Sequence, residues 1–213
     1  MKCAFVFSMQ FYTIKLKIET MKRGIQILAL LILTTFNISQ AQTNYTIKDA
    51  PSIKINGTST LHNWEMESST ATCNATFVLN ASNQITGITA IHFSTPVEQL
   101  KSGKGAMDKN AYKALNKDKY PAITFELTPG TATITPKGGG VFTVKGYGKL
   151  SFGGGIRDIE LLADCKVNAD KTITVTGTRN IGMKDYGVKP PSFMMGAVKT
   201  GNEIVLNFSL NMK

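Results

Sequence analysis

The 213-residue chain is short of the residues that do most protein chemistry, with two histidines, three cysteines, one tryptophan and 8% aromatic residues. His62 and His92 stand in no His-Glu-x-x-His segment and beside no Gly-x-Ser-x-Gly elbow, so neither a zinc-hydrolase nor a serine-hydrolase pattern is present. Gly153-Gly154-Gly155 lacks the lysine and the strand-to-helix setting of a phosphate-binding loop. A basic stripe, zinc-finger spacing and an RNP-like aromatic motif are all missing, which excludes nucleic acid as the expected partner. Long apolar runs are scarce too, and the one that matters lies near the N-terminus.

That run, Ile25 to Phe36, follows the cationic Met21-Lys22-Arg23 and precedes Ser39-Gln40-Ala41, a small-x-small pattern of the kind signal peptidases accept. It is too short and wrongly flanked to be a membrane span, although a retained anchor is the competing reading. Residues 1–41 are therefore read as a leader cleaved after Ala41, with Met21 an alternative start, and 42–213 as one mature domain. The 172 remaining residues suffice for a single sizeable core. Removing the leader takes five Lys/Arg and one Glu, so the formal charge falls from +10 to +6. A residue of +6 favours at most transient contact with a membrane surface or an anionic head group.

Cys3 leaves with the leader, and Cys73 and Cys165 remain in an oxidising setting. Each lies on the apolar parity of a strand, with Ala71, Ala75 and Phe77 in one case and Leu161, Ala163 and Val167 in the other. A disulfide and two separate buried thiols are both open, because geometry decides pairing. No Cys-x-x-Cys or neighbouring histidine pair supports a metal site.

Along the mature chain the apolar period is two. Ile204, Leu206, Phe208, Leu210 and Met212 alternate with polar residues, with Val205 the one apolar residue on the outer parity. Similar runs are Ile85-Gly87-Thr89-Ile91-Phe93, Ile123-Phe125-Leu127, Phe142-Val144-Gly146-Gly148 and Ile173-Val175. Between them, Asn80-Ala81-Ser82-Asn83, Thr128-Pro129-Gly130, Pro136 to Gly140 and Asn168 to Lys171 are turn chemistry. The pattern predicts an all-β sandwich or barrel of antiparallel hairpins. One stretch departs from it: Met107, Ala111, Ala114 and Leu115 recur at helical spacing between Ala106 and Leu115. This predicts a short amphipathic helix near 106–116, with Lys109, Asn110 and Lys113 facing away and Asp108 as N-cap. It is either an ordinary covering helix or a lid.

Gly57-Thr58-Ser59-Thr60-Leu61-His62-Asn63-Trp64 on an early strand, Lys119-Tyr120-Pro121-Ala122-Ile123-Thr124-Phe125 after the helix, and Gly201 to Leu206 opening the last strand together resemble the YceI-like family. The resemblance spans essentially all of the mature chain. It implies an extended, eight-stranded, lipocalin-like antiparallel barrel whose apolar interior holds a long isoprenoid or similar lipid, in the periplasm or outside the cell. Two segments depart from the family pattern: the helical insert lacks its Arg/His/Asp-rich form, and Ile181 to Gly187 runs into Pro190-Pro191-Ser192-Phe193-Met194-Met195.

An eight-stranded barrel is wide enough for one slender ligand, and an isoprenoid tail gains about 0.8 kcal/mol for each methylene-sized group it buries. The expected lining is Trp64, Phe77, Ile91, Phe93, Met107, Ile123, Phe125, Phe142, Ile173, Phe193, Met194 and Phe208. Met66, Met183 and Met195 are further flexible candidates, as much core filler as lining. Residues 103–115 and 188–197 are expected to frame the entrance. No catalytic residue, metal or cofactor is expected, and Asp158 and Glu160 read as a solvated outer face. Three readings follow: a non-enzymatic carrier of a polyisoprenoid or isoprenoid quinone, a lipid-modifying enzyme using His62 and Tyr120, or a ligand-free envelope scaffold. Monomer and homodimer are equally open.

Overall fold

A computed structural model describes residues 41–213 of the protein; the leader, apart from Ala41, lies outside the described residues. Among the described residues twelve strands and one α-helix follow in order. They are β1 (Ala41–Thr46), β2 (Ser52–Ser59), β3 (Trp64–Ser68), β4 (Thr72–Leu79) and β5 (Ile85–Pro96), then α1 (Gly105–Ala114). After the helix come β6 (Ala122–Leu127), β7 (Thr133–Gly138), β8 (Val141–Phe152), β9 (Gly155–Val167), β10 (Ile173–Gly182), β11 (Ser192–Phe193) and β12 (Val198–Met212).

All pairings are antiparallel, and the strand order is β1-β4-β5-β6-β8-β9-β10-β12-β2-β3. The sheet curls back on itself. Just past β1, Ile47 bridges Met212 at the end of β12, with Thr46 N donating to Lys213 O at 2.9 Å and Lys48 N to Asn211 O at 2.8 Å. That end is thereby closed as a barrel. At the other end the β2–β3 hairpin extends the wall, and Glu67 of β3 bridges Lys101 just beyond β5. The eight strands implied by the family resemblance are an undercount. β7 pairs only along β8, β11 has two residues against β12, and the β2–β3 hairpin adds two staves beyond β12.

The turns fall where the polar clusters stand. Asn80 Oδ1 accepts from the backbone N–H groups of Ser82 and Gln84, which leaves Asn83 left-handed at φ 56°, a conformation asparagine tolerates. Asn168 N donates to Thr172 O at 2.9 Å to close the β9–β10 turn.

Strand faces divide by polarity. Inward residues such as Ile53, Phe77, Phe125 and Leu210 are buried, while the outer wall carries ion pairs, among them Lys145–Glu160 at 2.7 Å, Lys149–Asp158 at 2.9 Å and Lys54–Glu65 at 3.1 Å. A membrane barrel has the opposite arrangement, with an apolar outer band. Among the described residues no helix is long and apolar enough to cross a membrane.

Two local expectations need correction. In β5 the pairing with β4 slips between Thr76↔Ala90 and Phe77↔Ile88, so Thr89 is the extra residue of a bulge and is exposed. Ile88, not Thr89, therefore points inward, and it is buried. α1 begins at Gly105, one residue ahead of the expected start, and Lys104 occupies the N-cap without a side-chain bond. Asp108 instead lies inside the first turn and accepts from Ser102 N at 2.8 Å and Ser102 Oγ at 2.6 Å. Its carboxylate ties the helix to the chain before it rather than capping it.

Candidate apolar binding cavity

Alternation puts apolar side chains inside the barrel, but whether they meet or leave space depends on what stands opposite. Here glycine leaves the space. Gly57 on β2 pairs with Trp64 on β3, and a Cβ at Gly57 would overlap the indole ring. The tryptophan consequently lies flat against the wall, its Nε1 donating to Thr58 O at 3.0 Å. Gly177 on β10 pairs with Phe208 on β12 in the same way. Gly146 has Leu127 Cδ1 2.7 Å from where its Cβ would stand. These large side chains line the lumen instead of filling it.

The result is a cavity in two chambers. The upper, of about 370 Å³, lies under α1 and the segment 188–193, and the lower, of about 140 Å³, lies toward the closed end. Ile55, Leu100, Ile123, Leu150 and Leu206 border both, forming a waist where the chambers abut. The lower chamber is lined almost wholly by apolar side chains. Its one hydroxyl, Thr95 Oγ1, is already spent on Thr70 O at 2.8 Å. Polar side chains gather only in the upper chamber, where Ser59, His62, Lys104, Asn110 and Thr200 contribute to the lining.

Most of the residues expected to line a cavity do so. Trp64, Met107 and Phe193 line the upper chamber, Ile123 stands at the waist, and Phe77, Ile91, Phe93, Phe125 and Phe208 line the lower. Phe142 and Ile173 do not. Both are buried in the packed core, Phe142 opposite Cys165 and Ile173 opposite Val167 and Met212. Parity sent them inward correctly, but at the closed end inward means packed. The side chain of Met194 lies outside the described residues. Among the further methionines, Met66 and Met183 line the upper chamber, whereas Met195 points to solvent, fully exposed.

Several lining residues carry no expectation from sequence. Leu150 continues the inward parity of β8, so its signal was present. Ile88 was hidden by the bulge. Leu100 lies outside any alternating run; the Glu67–Lys101 bridge next to it holds it against the waist. Asn110 was expected on the outer face of α1 but lines the upper chamber, because the helix presents a broader face to the barrel than its apolar stripe alone.

The two thiols are free and buried, and both line the lower chamber. Burial pushes the Cys73 thiol up to about 11 and, with the carboxylate of Asp164 adding to it, the Cys165 thiol up to about 12. They stay protonated at neutral pH and serve as small apolar wall atoms.

His62 sits in the tight turn between β2 and β3. Its Nδ1 lies 2.8 Å from Asn63 O, and Ser59 Oγ donates to its carbonyl at 2.8 Å. This is turn architecture at the rim of the upper chamber. Tyr120 packs against the β8–β9 hairpin, its ring 2.5 Å from where a Gly154 Cβ would stand, and is not among the chamber-lining residues. His92 is on the outer wall, 3.7 Å from Glu126. Among the described residues no three His, Cys, Asp or Glu side chains cluster in a way that would hold a metal ion.

Fold and cavity together define the class: an antiparallel barrel with a charged exterior and an enclosed apolar interior open at one end. Residues 36–212 match the YceI-like domain, and the chain belongs to that family. Solved structures share the fold. BcnA of Burkholderia cenocepacia superposes with a TM-score of 0.58 at 16% identity, covering 76% of this chain and 95% of that one. A polyisoprenoid binding domain from Saccharophagus degradans, implicated in plant cell wall breakdown, also gives 0.58, at 10% identity, with 79% and 97% covered. No curated protein matches the chain.

Proposed function

We propose that this protein is an exported carrier that encloses one long apolar ligand, a polyisoprenoid or isoprenoid quinone, tail-down in the barrel. The observation that carries this reading is the polarity of the cavity: an almost wholly apolar lower chamber at the closed end and polar side chains only toward the mouth. A tail gains by leaving water at every methylene, whereas a polar head buried at the closed end would find few partners. The ligand sites are the chamber residues already named, with the waist gripping the tail. The leader reading of residues 1–41 supports export, and the work of the carrier is then in the periplasm or outside the cell. The likeness to a polyisoprenoid binding domain supports the ligand class.

Native mass spectrometry of the protein purified from its own cell envelope tests this directly. A retained adduct with the mass of an isoprenoid is the expected result; an empty protein that also fails to take up isoprenoid quinone added in detergent would sink it. A lipid-modifying enzyme is the alternative that His62 would serve. Its ring contact is with the neighbouring carbonyl in its own turn, which supports a structural role for it. His62→Ala is therefore expected to change ligand affinity by less than about tenfold and to abolish no turnover, and loss of a reproducible lipid conversion in that variant would reverse the assignment.

A further inference from the structure

An apolar ligand must enter and leave somewhere, and the mouth carries two exposed apolar tips that the barrel does not use. Leu61, at the β2–β3 turn, is 69% exposed, and Met195, in the turn before β12, is completely so. The two turns are bound to each other: Thr60 N donates to Lys199 O at 3.0 Å, Lys199 N to Thr60 Oγ1 at 3.2 Å, and Thr60 Oγ1 to Ala197 O at 3.3 Å. Leu61 and Met195 are thus carried on one rigid ridge. Met195 is held there in the left-handed region at φ 55°, a conformation that favours glycine or asparagine over a long side chain. Neither burial nor backbone preference explains a methionine there.

Cations flank the ridge. Lys104, at the start of α1, Lys189, between the two chamber-lining residues Val188 and Pro191, and Lys199, on the ridge itself, are all exposed. None of the three belongs to an ion pair among the described residues, whereas Lys54, Lys137, Lys145 and Lys149 on the outer wall all do. Exposed apolar tips ringed by unpaired lysines, beside the opening of an apolar cavity, fit an anionic bilayer surface, where the side chains enter the acyl boundary and the ammonium groups meet phosphates.

We infer that the mouth docks on anionic lipid bilayers through Leu61 and Met195, with Lys104, Lys189 and Lys199 on the head groups, so that ligand passes between bilayer and barrel without crossing water. The inference rests on the carrier reading for its purpose but not for its test. Trp64, the chain's one tryptophan, lies at the upper chamber and reports approach of the mouth by energy transfer to a dansyl label on vesicle head groups. The full chain should show transfer with vesicles of phosphatidylcholine and phosphatidylglycerol, little with phosphatidylcholine alone, and loss on raising salt. Leu61→Asp with Met195→Asp should cut vesicle affinity at least tenfold, and Lys199→Glu severalfold, with thermal midpoints unchanged because all three side chains are exposed. Transfer that is the same in all variants, as attachment through the N-terminal segment alone would give, overturns the docking surface. Retention of the mass-spectrometric adduct in the double Asp variant keeps the carrier reading intact whichever way the vesicle result falls.

Discussion

At the residue scale, the interior is made by what glycine and cysteine do not occupy. Gly57 is silent in a hydrophobicity pattern, yet it decides whether Trp64 lines the upper chamber or blocks it. In Gly57→Ala the added methyl overlaps the indole, which must tilt into the lumen. Overpacking of this kind costs about 1–3 kcal/mol. The variant should melt earlier, shift the Trp64 emission, and take up less of a fluorescent fatty-acid probe; unchanged uptake would mean the ring has another place to go. The thiols carry a pH signature. Cys73 and Cys165 hold their protons more tightly when folded, about 11 and about 12 against an ordinary 9.0. Their stabilising effect is complete below pH 9.0 and is lost as pH rises toward those folded values. Burial raises Tyr45 and Tyr186 in the same direction. Urea midpoints measured from pH 8 to 11 should therefore fall, and fall less steeply in Cys73→Ala with Cys165→Ala; parallel curves would assign the whole slope to other groups. Sequence parity placed both cysteines inward. It left their pairing open, because bonding depends on the separation of two strands that alternation does not report.

At the scale of elements, period-two patterning found most of the wall and the helical period found α1. Physical reasons account for what escaped. An extra residue at Thr89 inverts the side chains only as far as a second register slip between Gly87 and Ile85, and no property of threonine announces a bulge. Asp108 looks like a cap from its neighbours, but its carboxylate bonds to Ser102 because the chain doubles back there. The two mouth segments were legible in composition, and the structure sets Met107 on α1 and Phe193 on β11 against the upper chamber. α1 has no fully buried residue, so its hold on the barrel is weaker than the strand ladder below it, and such an element opens at lower free energy than the wall. Met107→Glu and Phe193→Glu should each speed ligand release severalfold and leave the thermal midpoint nearly unchanged. Early unfolding with unchanged release would make both segments core and put the gate elsewhere.

For the whole molecule, alternation states that a barrel has an inside but not whether the inside is full. Phe142 and Ile173 share their parity with Phe125 and Phe208, yet the first pair is packed and the second lines open space; closure of the sheet through Ile47 and Met212 draws the walls together at one end only. The waist between the chambers turns this shape into a measurement of tail length. A ligand whose tail stops above Leu206 gains only from the upper chamber, while a longer one continues to gain about 0.8 kcal/mol per methylene in the lower. Two extra methylenes are thus worth about tenfold in affinity. Leu206→Trp adds bulk to a space rather than to a packed core, so it should plug the waist without lowering the thermal midpoint. Calorimetric affinities for a series of single-chain amphiphiles of increasing length should then rise continuously in the native protein and level off in Leu206→Trp once the tail reaches the waist. If both proteins show the same rise along the entire series, the chambers do not act as one tail channel, and the ligand is confined beneath α1.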